Sequence, residues 1–343
     1  MQHRPSRVFA TLAALCFAAF GAGAALAQVK PLDPPQTLKM AYVPIMKFAT
    51  AYVAASRGLF DKYGLKVDFE RVKSGTEAIA FLNKGSVDVG GIAIVTSLWN
   101  GWNRGLDLKI IAPGALEPMQ NSPTGLFVRK ASLDDGKVKA PADLKGLRLA
   151  SSGGPGSGGE YLAAKALARG GLSIRDVSLI NIGNADMPQA MERGAIDAAL
   201  AAAPYSNQMI EAGTAALLEG DLTPGLMTVA FVGSTQFLAK RPEAAERFVL
   251  ALTEAARLMQ GEQYLDQPNI DAYLRYTNTT EQAIRQGARV LYDPMMKIPV
   301  DGLADVEATH RSNGRTDYDK PLDLSVIYDD GYVTKAVKAL ATK

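Results

Sequence analysis

The sequence is short of reactive side chains. It holds one cysteine, Cys16, and two histidines, His3 and His310, in 343 residues. One thiol builds neither a disulfide framework nor a thiolate metal site, and one internal histidine assembles no Ser-His or multi-histidine constellation. His310 stands among Arg311, Asn313 and Arg315 and reads as a surface residue. Excess charge of one sign is lacking too. With 37 basic against 35 acidic residues the formal charge is only +2, too little to neutralise a phosphate backbone, which argues against nucleic acid as a partner. The carboxylate pairs Asp134-Asp135 and Asp329-Asp330 fall in turn-like contexts and read as solvated groups rather than acid–base pairs. No catalytic residue, metal or cofactor is expected. Stability must come from packing, for which 48% hydrophobic residues suffice.

The one long apolar run is at the start. His3, Arg4 and Arg7 precede Val8 to Phe20, then Gly21 to Ala27 is mostly small, and Ala25-Leu26-Ala27 fits the small-x-small rule for a cut before Gln28. Residues 1–27 thus read as a signal peptide. The alternative is a retained anchor, since Val8 to Ala27 approaches the ~20 apolar residues that span a bilayer. Leu15 precedes Cys16 where lipid attachment calls for Gly or Ala, so a lipoprotein is disfavoured. Removal of the leader takes the only cysteine, and Arg4 and Arg7 with it, leaving basic and acidic residues equal in number.

The rest is longer than one core usually spans, so two lobes are expected. Residues 28–36, with Pro31, Pro34 and Pro35, read as a linker. Beyond them β-branched runs (Leu38 to Val43, Lys66 to Val72, Val87 to Ile92, Lys109 to Ala112, Leu147 to Ala150, Val177 to Ile182, Ile196 to Ala201) alternate with helical patterns, which predicts parallel sheets covered by helices, an α/β fold. The order Gly64, Gly75, Gly85, Asp88 is echoed by Gly171, Gly183, Gly194, Asp197 at nearly the same spacings, predicting lobes of like construction. Two further runs, Gly125 to Arg129 and Thr228 to Gly233, read as crossings between lobes. Residues 37–130 and 229–343 are then expected to form one lobe and 131–228 the other. Pro242 starts a helix whose apolar stripe is Val249, Leu252, Ala256 and Met259.

In open parallel sheets ligands bind beyond the carboxyl ends of the strands, where helix N-termini offer unpaired N–H groups. Five such junctions carry small or polar residues: Pro44 to Thr50, Ser74-Gly75-Thr76, Thr96-Ser97, Ser151 to Gly159, and Asn184-Ala185-Asp186. If they converge they favour a negatively charged or strongly polar group; if not, each is a cap facing water. Lys47 is a candidate charge partner, and Met46, Phe48, Trp99, Met119 and Tyr205 are candidate apolar walls. The loop Ser152-Gly153-Gly154-Pro155-Gly156-Ser157-Gly158-Gly159 contains G-x-G-x-x-G at Gly154, Gly156 and Gly159, the dinucleotide fingerprint. The acid some twenty residues on, Asp176, precedes a strand instead of ending one, and Asp186, beyond that strand, is expected to cap a helix. A close-approach loop for a small ligand is the better reading.

Taken in order, Met40-Ala41-Tyr42-Val43-Pro44, Ala54 to Val67, Gly75-Thr76-Glu77-Ala78, Leu82 to Gly90, Asp143 to Ala150, Arg193 to Ala199 and Pro204-Tyr205 resemble the nitrate, taurine and sulfonate type of periplasmic solute-binding protein, which includes thiamine-precursor binders. The likeness covers about residues 37 to 260. It implies a type II two-lobed fold with the ligand cleft between lobes, a monomer that is not an enzyme, and delivery of a small solute to an inner-membrane ABC permease. Carried over by position, it implies contacts from Pro44, Met46, Lys47 and Phe48, from Ser74, Gly75 and Thr76, from Val95, Thr96 and Ser97, from Ser152, Gly153, Gly154, Gly156 and Ser157, and from Asn184, Asp186 and Tyr205. Members often carry an aromatic or acidic residue before the Pro-Tyr pair; Ala201-Ala202-Ala203 stands there instead, opening room for a bulkier solute. The expected solute is a small organic anion, a sulfonate or carboxylate. Related folds include enzymes, so an enzyme on this scaffold and a ligand-sensing receptor are the alternatives.

Overall fold

The computed structural model describes residues 29–341; the leader expected at 1–27 lies outside them. Among the described residues no helix is long and apolar enough to cross a membrane. The segment expected to be a linker is docked on the first lobe. Leu32 is buried, and its N–H donates to the Tyr63 carbonyl at 3.1 Å. The approach requires Gly64, whose φ is +74° and whose absent Cβ would lie 2.3 Å from the Leu32 nitrogen.

The chain begins with β1 (Gln36–Tyr42), α1 (Ala49–Ser56), α2 (Leu59–Lys62), β2 (Leu65–Arg71), α3 (Gly75–Asn83), β3 (Val89–Ala93), α4 (Thr96–Asn103) and β4 (Leu108–Pro113). It then crosses to β5 (Gly125–Arg129), α5 (Lys130–Asp134), β6 (Arg148–Ser151), α6 (Gly158–Ala168), β7 (Ser178–Asn181), α7 (Met187–Glu192), β8 (Ala198–Ala201), α8 (Tyr205–Glu211) and β9 (Ala215–Glu219). It returns to β10 (Val229–Ser234) and ends in α9 (Thr235–Lys240), α10 (Pro242–Arg257), α11 (Gln267–Tyr276), α12 (Glu281–Gln286), α13 (Val300–Ser312) and α14 (Gly331–Leu340).

Two sheets result, in the orders β2-β1-β3-β10-β4 and β7-β6-β8-β5-β9. Their plans are equivalent. The second strand is parallel to both its neighbours in each sheet. The fourth, β10 or β5, is antiparallel to both and is exchanged from the other side of the crossing. The sequence echo is the imprint of this plan. Asp88 accepts from the Lys39 N–H at 2.9 Å and Asp197 from the Arg148 N–H at 3.0 Å, so each repeat ends in a carboxylate that caps a strand of its own sheet.

Strand β5 is bonded into the second sheet, so a lobe boundary at residue 130 is too late. The crossings are instead residues 114–124 and 220–228. Strand β9, which follows β8 after a helix, was not foreseen because Ala215 and Ala216 have low strand propensity; pairing with β5 holds it. Nor does the C-terminal part belong to one lobe alone. Helix α14 packs on α10, and Tyr328 bridges to Ile110 of β4. Helices α12 and α13, however, reach the second lobe, where Asn207 Nδ2 donates to the Ala283 carbonyl at 3.2 Å and Lys165 Nζ to Asp305 at 2.6 Å. Arg315 pairs with the fully buried Glu160 at 2.9 Å.

His310, expected at the surface, is fully buried on α13, with the Tyr161 ring 6.3 Å away. Its polar sequence neighbours misled because a helix turns one residue in three or four inward whatever flanks it. Burial lowers the imidazole pKa to about 4; the Ile94 backbone opposes this and Arg315 adds a smaller push downward. Since the folded value lies below the unfolded 6.5, acid favours the unfolded chain. Stability should therefore be full above pH 6.5 and fall as the pH drops from there to about 4. Chemical denaturation at stepped pH checks this, with a smaller loss over that window expected for His310→Gln.

Candidate functional site

The carboxyl ends of both sheets face one cleft, which holds two connected cavities. The inner one, about 80 Å³, is largely apolar, with Phe48, Val95, Leu162, Leu200 and Val229 in its wall. The outer one, about 750 Å³, carries Arg71, Lys73 and Glu77 from the first lobe and Asn181, Asn184 and Asp186 from the second. Ser74, Thr76, Ser152, Gly153 and Asn184 line both and mark the junction.

Two helices point their N-termini at the inner cavity from opposite lobes. Helix α3 is capped by Ser74, which accepts from the Glu77 N–H at 3.4 Å, while Glu77 accepts from the Lys73 N–H at 2.7 Å. Helix α6 is capped by Ser157, which accepts from the Glu160 N–H at 3.0 Å. These caps leave the N–H groups of Gly75 and Thr76 on one side, and of Gly158 and Gly159 on the other, without a partner among the described residues. All four residues are in the cavity wall or at its junction. Opposed first-turn donors, each with the positive end of a helix dipole behind it, suit a negative or strongly polar group.

Lys47 is also in the wall, yet its charge is already engaged. Its buried ammonium pairs with buried Glu117 and donates to Thr228 Oγ1 at 3.1 Å. The other Glu117 oxygen accepts from Ser122. Glu117 and Ser122 lie on the first crossing and Thr228 on the second, so the pair ties the cavity wall to both. As a charge partner for a solute Lys47 is thereby corrected to an internal ion pair. Glu117 escaped sequence reasoning because it stands in Ala115-Leu116-Glu117-Pro118-Met119, which has no periodicity; a lone charge among apolar residues was the available signal.

The glycine loop serves approach between lobes. Thr96 donates to the Gly156 carbonyl through its N–H at 2.7 Å and its hydroxyl at 2.9 Å. A Cβ on Gly156 would lie 2.5 Å from Thr96 Oγ1, and its φ is +77°. The lobes also touch where the Met46 N–H meets the Ala203 carbonyl at 3.3 Å and where Tyr205 donates to the Pro44 carbonyl at 3.4 Å. Gly154 and Gly156 line neither cavity, and the half-buried Asp176 accepts from Ser173 in a local turn, so the dinucleotide fingerprint has no site behind it here.

Of the residues expected to touch a solute, Lys47, Phe48, Ser74, Gly75, Thr76, Ser152, Gly153, Ser157 and Asn184 line the inner cavity, with Pro44 and Asp186 at the outer one. Asp186 makes no cap bond to α7. Met46, Thr96, Trp99 and Tyr205 are buried outside both cavities, while Ser97 and Met119 are exposed away from them. Large side chains at strand ends serve the core here. Missed were Thr124 and Thr228, both in the inner wall and each standing immediately before an exchanged strand. Their place relative to the crossings was the signal. Ala201 and Ala202 are also in that wall, where a larger side chain would fill space.

Two like lobes closed over a cleft, with crossings between them, are the fold of two-lobed periplasmic binding proteins. Residues 32–270 match the NMT1-like family, and the chain belongs to it. A binding protein of Brucella abortus is 26% identical over 73% of this chain and 75% of its own. An aliphatic sulfonates-binding protein of Escherichia coli is 28% identical over 52% of this chain and 51% of its own. Among solved structures, the periplasmic nitrate-binding protein of Synechocystis superposes with a TM-score of 0.71 over 90% of both chains at 18% identity. A desulfurization enzyme does so with 0.64 over 88% of this chain and 99% of its own at 17% identity. The fold is thus shared by proteins named as binding proteins and by one named as an enzyme.

Two outcomes are expected from this geometry. Lys47→Met should destabilise the protein by about 3–5 kcal/mol, because it leaves Glu117 buried and unpaired, whereas Lys47→Met with Glu117→Gln should recover most of that loss in a urea melt. Gly156→Ala should hold the lobes apart, seen as a larger radius of gyration in solution scattering, and adding Thr96→Gly should restore compactness while the positive-φ strain of roughly 1–2 kcal/mol remains.

Proposed function

We propose that the protein is an exported, monomeric receptor that closes its lobes on a small organic anion, a sulfonate or carboxylate, and delivers it to an inner-membrane ABC permease. The observation that carries this reading is the pair of opposed helix N-termini, α3 and α6, with four undonated N–H groups at the inner cavity. Engagement of Lys47 by Glu117 does not weaken it. A helix N-terminus typically contributes about 0.3–1 kcal/mol toward an anion and up to ~2 where partly buried, while an exposed ion pair contributes about 0–1. Two termini from opposite lobes therefore rival a lysine, and they reward closure, since each lobe supplies one. The apolar wall formed by Phe48, Leu162, Leu200 and Val229 suits the organic portion of such a solute. The apolar run ending at Ala27 supports export with a cut before Gln28. Names borne by relatives, sulfonate-binding in one case, point the same way.

An enzyme on this scaffold is the second reading, favoured by the resemblance in fold to the desulfurization enzyme. A thermal-shift panel on the refolded mature chain separates the two: alkanesulfonates, carboxylates, nitrate, pyrimidines and dinucleotides. A sulfonate or carboxylate at a hundred times its Kd should add about 2.7 kcal/mol of stability, a rise of several degrees, and be recovered unchanged. Stabilisation by dinucleotides alone, or conversion of the stabilising compound, would overturn the proposal in favour of an enzyme.

A further inference from the structure

The inner cavity holds a polar group that none of the described residues uses. Thr124 is 4% exposed and lines the inner wall, and its hydroxyl has no hydrogen-bond partner among the described residues. Its counterpart before the other exchanged strand, Thr228, accepts from Lys47 at 3.1 Å. The Thr124 N–H is in turn taken by Ser122 Oγ at 3.1 Å, so the backbone at this point is held and the side chain alone is idle. Buried hydroxyls are nearly always paired, because leaving one unmade costs the desolvation of the group.

The charge balance beside it decides what kind of partner is missing. Lys47 and Glu117 form the buried ion pair of this wall, and both are already satisfied by each other, Thr228 and Ser122. Beside Thr124 a charge would meet no free counter-charge, since Lys47 and Glu117 are taken and the free N–H groups belong to the starts of α3 and α6. A neutral group that donates or accepts one hydrogen bond meets no such cost.

We propose that the inner cavity reads an uncharged hydrogen-bonding group on the solute, a hydroxyl, amide or ring nitrogen, and that Thr124 is the residue that reads it. This rests on the anion-receptor reading for the other end of the molecule: the charged head lies at α3 and α6 and the neutral polar group lies at Thr124, with apolar atoms between. Simple alkyl anions would then be poor mimics of the true solute.

The test uses the mature protein, its Thr124→Val and Thr124→Ser variants, and four probes in calorimetric titrations: butanesulfonate, its ω-hydroxy counterpart, butanol and butanediol. In the wild type the ω-hydroxy sulfonate should bind roughly threefold to tenfold tighter than butanesulfonate. Thr124→Val should abolish that ratio, and Thr124→Ser should keep it. Without any probe, Thr124→Val should melt at or slightly above the wild-type temperature, since it removes an unused polar atom. A lower melting temperature, equal losses for both sulfonates, or no binding of either hydroxylated probe at millimolar concentration would overturn the proposal. If butanediol gains over butanol through Thr124 but the sulfonates gain nothing over the neutral probes, the anion reading falls and the Thr124 assignment stands.

Discussion

The structure turns on the buried ion pair between Lys47 and Glu117. Lys47 stands just before α1 in the wall of the first lobe, and its carbonyl accepts from the Ala115 N–H at 2.8 Å while its ammonium meets Glu117. Glu117 in turn exchanges backbone bonds with the second crossing, its N–H donating to Leu226 at 3.0 Å and its carbonyl accepting from Gly225 at 2.8 Å. Taking two charges out of water is costly unless their remaining lone pairs and protons are also met, and Ser122 and Thr228 meet them. One network thus fixes the spacing of the cavity wall from both strands that join the lobes. It also leaves the inner cavity without net charge, so the proposed recognition of an anion falls to the backbone.

That division of labour explains the glycines. Backbone donors come within reach of a small solute only if the lobes approach closely, and close approach leaves no space for side chains at the contact. Gly156 against Thr96 is one such contact, with only 2.5 Å from a Cβ there to Thr96 Oγ1. Opposite the cleft the C-terminal part braces the same two lobes: Asn100 of α4 bonds the backbone of Arg315 and Asp317, and Arg315 reaches Glu160 of α6. Helix α6 is therefore engaged at its start by the cavity and, one residue further on, by the brace.

Much of this was legible in the chain. The spaced Gly and Asp residues of the two repeats encode turns and strand caps that the sheet plan requires, so they survive as sequence signals, and Asp88 and Asp197 do the same work in both lobes. The junctions ahead of α3 and α6 were equally plain, although not that Ser74 and Ser157 would be the caps within them. What could not be read was long-range. Lys47 looked free because Glu117, seventy residues away in sequence, lies on an irregular segment. His310 looked exposed because its neighbours are polar, although the face of α13 that carries it is turned inward against Tyr161. Strand β5 was assigned to the wrong lobe because an exchanged strand has the same local pattern whichever sheet receives it.

The two lobes share one plan, yet the cavity between them is not symmetric, and the asymmetry has a single origin. Thr124 and Thr228 occupy matching places before the exchanged strands, but a lysine is available only to Thr228, since only the first lobe carries Lys47 ahead of its first helix. A duplicated fold would by itself present a guest with two equivalent ends. One buried ion pair removes that equivalence: Thr228 is occupied, Thr124 is not, and the first-turn N–H groups of both helices have no partner among the described residues. Under the proposed reading, a solute with distinct ends then has one orientation that satisfies the cavity.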